Sequence, residues 1–213
     1  MGCIAEDRSA CPHPRGVSVR LTVCPDPMTA VTRTTDEEAL RDLNLYLYDD
    51  DGEIVLHRYQ SSSTLRFTSL PGNYRMRIAA NMGRDLGENP ASEDFTVTHA
   101  DEYDTLPMSY EGDVTITSSS GGILTLPVVE VQRVVTKVSY DIAVKPADIE
   151  LRSVQLCSVP RAVSVFDVAA RPSDAPDDYT DCPESGISGQ HISGNCYLPV
   201  SYTHLRAHET KAN

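Results

Sequence analysis

The chain has 213 residues, of which 31 are acidic and 18 are basic, so its net charge is −13. This balance argues against a nucleic-acid partner, whose phosphates need neutralisation by Lys and Arg. With 40% hydrophobic residues the chain is too apolar for a disordered acidic protein. No apolar run approaches the ~20 residues that a membrane-spanning helix needs, so attachment to a membrane would have to be through lipid.

The N-terminal segment Met1–Asp7 places Cys3 directly after a glycine and ahead of acidic residues. This arrangement is typical of the end of a bacterial lipoprotein signal, where the cysteine receives lipid and becomes the new N-terminus. The hydrophobic region of such a signal does not precede Gly2, and we expect Met1 to be an internal methionine of a longer signal. Two alternatives stay open. One is dual acylation after Met-Gly, which Glu6 disfavours because myristoylation prefers Ser or Thr there. The other is an ordinary cysteine.

From Val17 onwards apolar residues alternate with polar ones, which predicts short β-strands separated by turns. The predicted strands, in chain order, begin at Val17, Leu43, Ile54, Leu65, Tyr74, Phe95, Asp113, Gly122, Val134, Leu151 and Ala162. A capping-box pattern at Thr35–Glu38 predicts a short helix between the first two strands. The dipeptide Asp51-Gly52 predicts a hairpin turn, and residues 113–126 predict another hairpin. Residues 171–196, rich in Pro, Gly, Ser and Asp, predict a long loop. This succession favours an all-β antiparallel sandwich.

The C-terminal segment Val200–Thr210 reads as the in-frame translation of a common transposase sequencing adapter. We therefore expect native sequence to stop near Leu198 and residues 200–213 to be a non-native tail. The natural protein would continue beyond this point.

Apart from Cys3, five cysteines remain, an odd number. Cys11 and Cys24 could form a local disulfide, as could Cys182 and Cys196, which would leave Cys157 buried or paired elsewhere. Free structural thiols remain an alternative. No zinc-type ligand spacing is present, so we expect no metal site.

Several polar and aromatic groups admit two interpretations. The acidic run from Asp49 to Glu53 fits a solvated turn better than a calcium site, because the spaced ligands of a calcium loop are missing. Arg75 and Arg77 share one strand face and could bind an anion or pair with surface carboxylates. Three tyrosines could line a sugar-binding surface or be half-buried cross-strand residues. They are Tyr46, Tyr48 and Tyr59. No histidine lies in a recognisable catalytic setting, so we expect no enzyme activity and no catalytic residue.

Six short sequence segments occur in a characteristic order: Cys3–Asp7, Leu45–Gly52, Leu70–Tyr74, Ala80-Asn81, Leu106–Ser109 and Arg133–Val138. In that order they resemble the fimbrillin superfamily of Gram-negative anaerobes, and within it the fimbrillin-associated anchor lipoproteins (FimB/Mfa-type). The resemblance implies tandem transthyretin-like sandwiches, the second truncated here. We expect a tether in residues 1–16, a first domain in 17–132 and the start of a second in 133–199.

The same resemblance implies a structural role. We expect an anchor or minor subunit of a fimbrium, held at the cell outer membrane by lipid on Cys3, contributing to adhesion and contacting fimbrial subunits through β-strands. We expect no cofactor beyond that covalent lipid. The alternative is a lipid-anchored β-sandwich that binds glycan or another small ligand.

Overall fold

The computed structural model describes seven stretches of the chain: residues 15–27, 39–98, 103–118, 121–145, 151–166, 179–181 and 185–199. These stretches contain sixteen β-strands and a 3-10 turn at Ser92–Phe95. The strands are β1 Val17–Pro25, β2 Leu43–Tyr48, β3 Ile54–Gln60, β4 Thr64–Ser69, β5 Gly72–Ala80, β6 Thr96–Thr98, β7 Met108–Ile116, β8 Leu124–Thr125, β9 Val129–Arg133, β10 Val135–Ala143, β11 Leu151–Val154, β12 Val159–Pro160, β13 Ala162–Ser164, β14 Tyr179–Thr180, β15 Ser185–Gly189 and β16 His191–Pro199. The predicted helix at Thr35–Glu38 lies outside the described residues.

The largest sheet contains eight strands and curls into two facing layers, in the order β3-β2-β5-β7-β9-β1-β4, with β8 also beside β1. Strands β2, β3, β5 and β7 pair antiparallel and form one layer. In the other layer β1 pairs antiparallel with β4 and parallel with β8 and β9. The predicted all-β sandwich is confirmed, although β1 has parallel as well as antiparallel neighbours.

The alternation of apolar residues determines which side chains enter the space between the layers. In β1, every second residue from Val17 to Val23 is buried, while the residues between them face outwards. Leu45 and Leu47 of β2 and Ile78 of β5 are fully buried opposite them. Burial of one such side chain stabilises a fold by about 1.5–3 kcal/mol, so this shared interior is the main source of stability.

The β2–β3 turn is built by Asp49 and Gly52. The amide of Gly52 donates to the carbonyl of Asp49 at 3.0 Å, and the Asp49 carboxylate accepts the amide of Glu53 at 2.9 Å. Gly52 has φ of +81°, a value that favours glycine. The interpretation of the acidic run as a turn is therefore confirmed.

A chain segment from the predicted second domain packs on the first. β13 pairs antiparallel with β6, and the Val165 amide donates to the Phe95 carbonyl at 2.7 Å. Val163, Val165 and Tyr197 belong to the same buried cluster as the core of the eight-stranded sheet. The boundary near residue 132 stays a prediction, but these contacts cross it.

The structure departs from the predicted strands at several places. The hairpin predicted over 113–126 is wrong, because β7 and β8 do not pair and β8 lies parallel to β1. Neither β9 nor the two-residue strand β12 was predicted. The loop predicted over 171–196 is wrong in its described part, which contains β14, β15 and the first six residues of β16. In each case the partner that decides the conformation lies far away in sequence.

Candidate functional site

A cleft opens in the eight-stranded sheet where β7 and β9 separate. The two strands pair at only two positions, Met108↔Arg133 and Ser109↔Gln132. Next to these pairs, the Val134 amide donates a 3.0 Å hydrogen bond to the Pro107 carbonyl. Beyond that point β9 turns to pair with β1. A cavity of about 680 Å³ occupies the gap.

The cleft is lined by polar and apolar groups in similar proportion, and its charged lining residues are all acidic. The apolar lining comes from both layers and from the segment after β13: Met76, Tyr110, Val114, Leu126, Val128, Val129, Val165 and Phe166. Four carboxylates also border it: Asp26, Glu111, Asp113 and Glu130. A lining of apolar side chains and carboxylates suits an extended segment whose residues alternate between apolar and basic.

One edge of β7 borders this cleft. Its register with β5 is continuous from Ile116 to Met108, so successive β7 residues direct their backbone groups alternately towards β5 and away from it. The Pro107 carbonyl accepts the amide of Val134, the residue directly after β9. The odd-numbered β7 residues that follow, including Asp113, therefore direct their backbone amides and carbonyls towards the cleft. Over the described ranges, β5 is the only strand paired with β7 between Tyr110 and Ile116.

Arg75 and Arg77 both bind Glu111 on the outer face of the β5–β7 pair. Their Nε atoms donate to the same carboxylate oxygen, Oε1, at 2.6 and 2.8 Å. Burial would raise the pKa of Glu111, but hydrogen bonds and charge from Arg77 and Arg75 outweigh it and hold that pKa below its usual range. The predicted pairing with a carboxylate is thus confirmed for both arginines.

Aromatic rings extend from this cluster across the outer face of β2. Phe166 meets Phe95 edge-on at 4.9 Å between centroids, and Phe95 meets Tyr46 edge-on at 5.5 Å. Tyr46 stacks on His57 at 4.6 Å. Burial lowers the pKa of His57 and raises that of Tyr46. Because Tyr46 is fully buried and donates to the Gly87 carbonyl, it cannot line an exposed sugar-binding surface.

A buried polar network holds the chain after β5 against β2. The Asp42 carboxylate accepts the amides of Met82 and Gly83, each at 3.0 Å. The Asn44 side chain accepts the Leu86 amide and donates to the Arg84 carbonyl, again at 3.0 Å. The network was not predicted, although the polar residues Asp42 and Asn44 on either side of Leu43, at the start of an apolar strand, were a usable signal.

Asn81 completes that network with a strained backbone. Its side chain donates to the carbonyls of Ala39 and Leu106 and accepts the amide of Arg41, at 2.9–3.0 Å. Its φ of +59° is one that Asn tolerates better than most residues. Asn81 therefore joins three segments of chain at one point.

The residues predicted as attachment or disulfide sites are only partly described. Cys3, Cys11 and Cys182 lie outside the described residues, so the lipidation and both disulfides stay predictions. Cys24 is half-buried and Cys157 is exposed. The third described cysteine, Cys196, is buried in β16.

Over the residues that can be described, no group of three or more His, Cys, Asp or Glu side chains is placed to hold a metal ion. The same residues include no helix long and apolar enough to cross a membrane.

Three solved structures share the fold of this chain. The tip fimbrial protein Mfa3 from Porphyromonas gingivalis aligns with a TM-score of 0.52 and 20% identity, over 86% of this chain and 68% of that one. A candidate adhesin from Bacteroides ovatus aligns with a TM-score of 0.53 and 14% identity, over 100% of this chain and 78% of its own. A candidate cell adhesion protein from Bacteroides eggerthii aligns with a TM-score of 0.54 and 14% identity, over 85% of this chain and 70% of that one.

No protein-family model and no curated protein matches the chain. The alignments with solved structures confirm, at the level of the fold, the resemblance expected from the sequence.

Proposed function

We propose that this protein is a non-enzymatic component of a surface fimbrium, an anchor or minor subunit that contributes to adhesion. The observation that carries the proposal is the cleft beside β7, in a fold shared with proteins described as fimbrial and adhesive. An extended segment of another subunit would enter the cleft and pair with the free edge of β7. Such strand addition combines backbone hydrogen bonds with burial of alternate side chains.

The charges on the cleft specify the incoming segment further. Apolar side chains would point inwards to Tyr110 and Val114, and basic side chains would lie along the carboxylates of Asp113 and Glu130. Charge complementarity of this kind favours the correct partner and speeds its association. The supporting facts are the apolar side chains and the carboxylates that line the cleft, together with the β7 edge.

A proline at position 113 is expected to block this pairing. Asp113 is exposed and its amide points to the cleft, so Asp113→Pro removes one edge donor while the β5–β7 ladder keeps its own bonds. In a gene-deletion strain complemented with this variant, electron microscopy should show fimbriae shed into the medium.

The matched control is Asp113→Ala, which removes the same charge but retains the amide. Cells carrying it should keep their fimbriae attached. If Asp113→Pro and Asp113→Ala cells carry equal numbers of attached fimbriae, while both proteins fold, strand addition at β7 is wrong.

Lipid on Cys3 would hold the protein at the outer membrane, facing outwards. The sequence supports this through the Gly2-Cys3 junction and the acidic residues that follow. The intact gene, expressed with labelled palmitate in a lipoprotein-competent host, should yield a labelled membrane protein, whereas Cys3→Ala should yield an unlabelled one. Absence of label on the wild type would contradict the lipid tether.

A further inference from the structure

A second cavity lies on the outer face of the β5–β7 pair, beside the arginine cluster. Its volume is about 360 Å³. It is lined by two cations, one carboxylate, two hydroxyl groups and two aromatic rings: Arg75, Arg77, Glu111, Ser92, Ser164, Phe95 and Phe166. The lining therefore combines an apolar surface with hydrogen-bonding groups of both kinds.

Phe166 gives this cavity a fixed aromatic surface. Its ring is half-buried, with Phe95 edge-on at 4.9 Å and the Arg77 guanidinium 5.2 Å from its centroid. Its backbone amide donates to the Ser164 hydroxyl at 3.3 Å. Because contacts on several sides fix the ring, little conformational freedom is lost when a ligand packs on it.

Arg75 and Glu111 retain hydrogen-bonding capacity after they have paired. The side chain of Arg75 is 59% exposed, and its contact with Glu111 runs through Nε, so its terminal amino groups can face a ligand. Both arginines use the same Glu111 oxygen, Oε1, which leaves Oε2 to accept a hydroxyl. Two guanidiniums against one carboxylate give the cavity one net positive charge, on a protein whose net charge is −13.

We propose that this cavity binds a saccharide that carries a carboxylate, of the uronic or sialic type. The sugar carboxylate would bind Arg75, an arrangement suited to the planar guanidinium. The C–H face of the ring would pack on Phe166, and hydroxyls would bind Glu111 and the two serines. A neutral sugar would leave Arg75 unused.

This proposal goes beyond the fimbrial role and does not depend on it. Glu111 and Phe166 border both cavities, whereas Arg75 lines only this one and Asp113 lines only the cleft. A variant at Arg75 therefore tests the saccharide site, and a variant at Asp113 tests strand addition.

The experiment measures binding of sialyllactose and trigalacturonate to the purified protein by titration calorimetry and saturation-transfer NMR, with lactose as the neutral probe. At least one carboxylated probe should bind more tightly than lactose, and the binding should weaken as salt is raised. Arg75→Gln should weaken it about tenfold, as expected when one charge-assisted pair of hydrogen bonds is lost. Arg66→Gln, which changes an exposed arginine on β4, is the matched control and should bind like the wild type.

Three results would overturn the proposal: no preference for either carboxylated probe over lactose, unchanged binding by Arg75→Gln, or equally tight binding of an N-acetylated dipeptide with a free carboxylate. The last result would make the cavity a peptide-carboxylate site. Asp113→Pro should bind the saccharide normally, so failure of strand addition and failure of this site can be told apart.

Discussion

Asn81→Asp should lower the free energy of unfolding by about 3–5 kcal/mol at neutral pH, the range seen when a charge is buried without a partner. In the wild type, the Asn81 amide nitrogen donates to the carbonyls of Ala39 and Leu106. The substitution places a carboxylate oxygen against two carbonyl oxygens at a position that is only 8% exposed. Urea unfolding followed by circular dichroism measures the loss.

Asn81→Gly is the matched control, because glycine accepts the φ of +59° while the side-chain bonds are lost. We expect it to cost less than Asn81→Asp at neutral pH. Burial without a donor raises the folded-state pKa of the introduced carboxyl, so its excess cost is present above that pKa and diminishes as the pH falls through it. An Asn81→Asp protein as stable as Asn81→Gly at pH 7 would contradict this account of the network.

Phe95→Ala should cost a similar amount, about 3–5 kcal/mol, the usual range for removing a buried phenyl ring. Phe95 is 8% exposed and stands between Tyr46 and Phe166, while its carbonyl accepts the amide of Val165. Loss of the ring opens a cavity beneath the β6–β13 pair. Hydrogen exchange should therefore show reduced protection at residues 162–166, together with the overall loss of stability.

Phe95→Leu keeps most of the buried volume and should cost clearly less than Phe95→Ala. If Phe95→Ala destabilises the protein while residues 162–166 stay protected as in the wild type, the aromatic contact does not hold β13 in place. In that event the pairing of β6 with β13 would be independent of the rings.

The sequence predicted those elements whose own pattern determines their structure. β1 alternates cleanly, β5 alternates from Tyr74 to Ile78, and the Asp51-Gly52 turn needs only local geometry. The missed strand β9 carried a signal as well, since Val129 and Val131 alternate with polar residues and are buried. The Gly- and Ser-rich segment before β8 gave a misleading hairpin signal, because β8 instead finds its partner in β1.

The candidate sites were harder to predict, because each depends on segments that are distant in sequence. Arg75 and Arg77 were recognised as a pair, but their shared contact is Glu111 on β7, and Phe166 comes from the predicted second domain. The cleft exists because β9 leaves β7 for β1, a choice that no single segment encodes. Lipidation at Cys3, by contrast, is a purely sequence-based hypothesis.

The parallel pairing of β1 with β9 has a consequence for how the chain folds. Val23 pairs with Val129, so β1 cannot complete its layer until much of the protein has been synthesised and the intervening hairpins have formed. Pairings between such distant segments carry a large loop-closure entropy and slow the folding of β-proteins. During that interval the β1 edge that will receive β8 and β9 is unpaired, which makes the half-folded chain prone to aggregate and favours a chaperone that covers this edge.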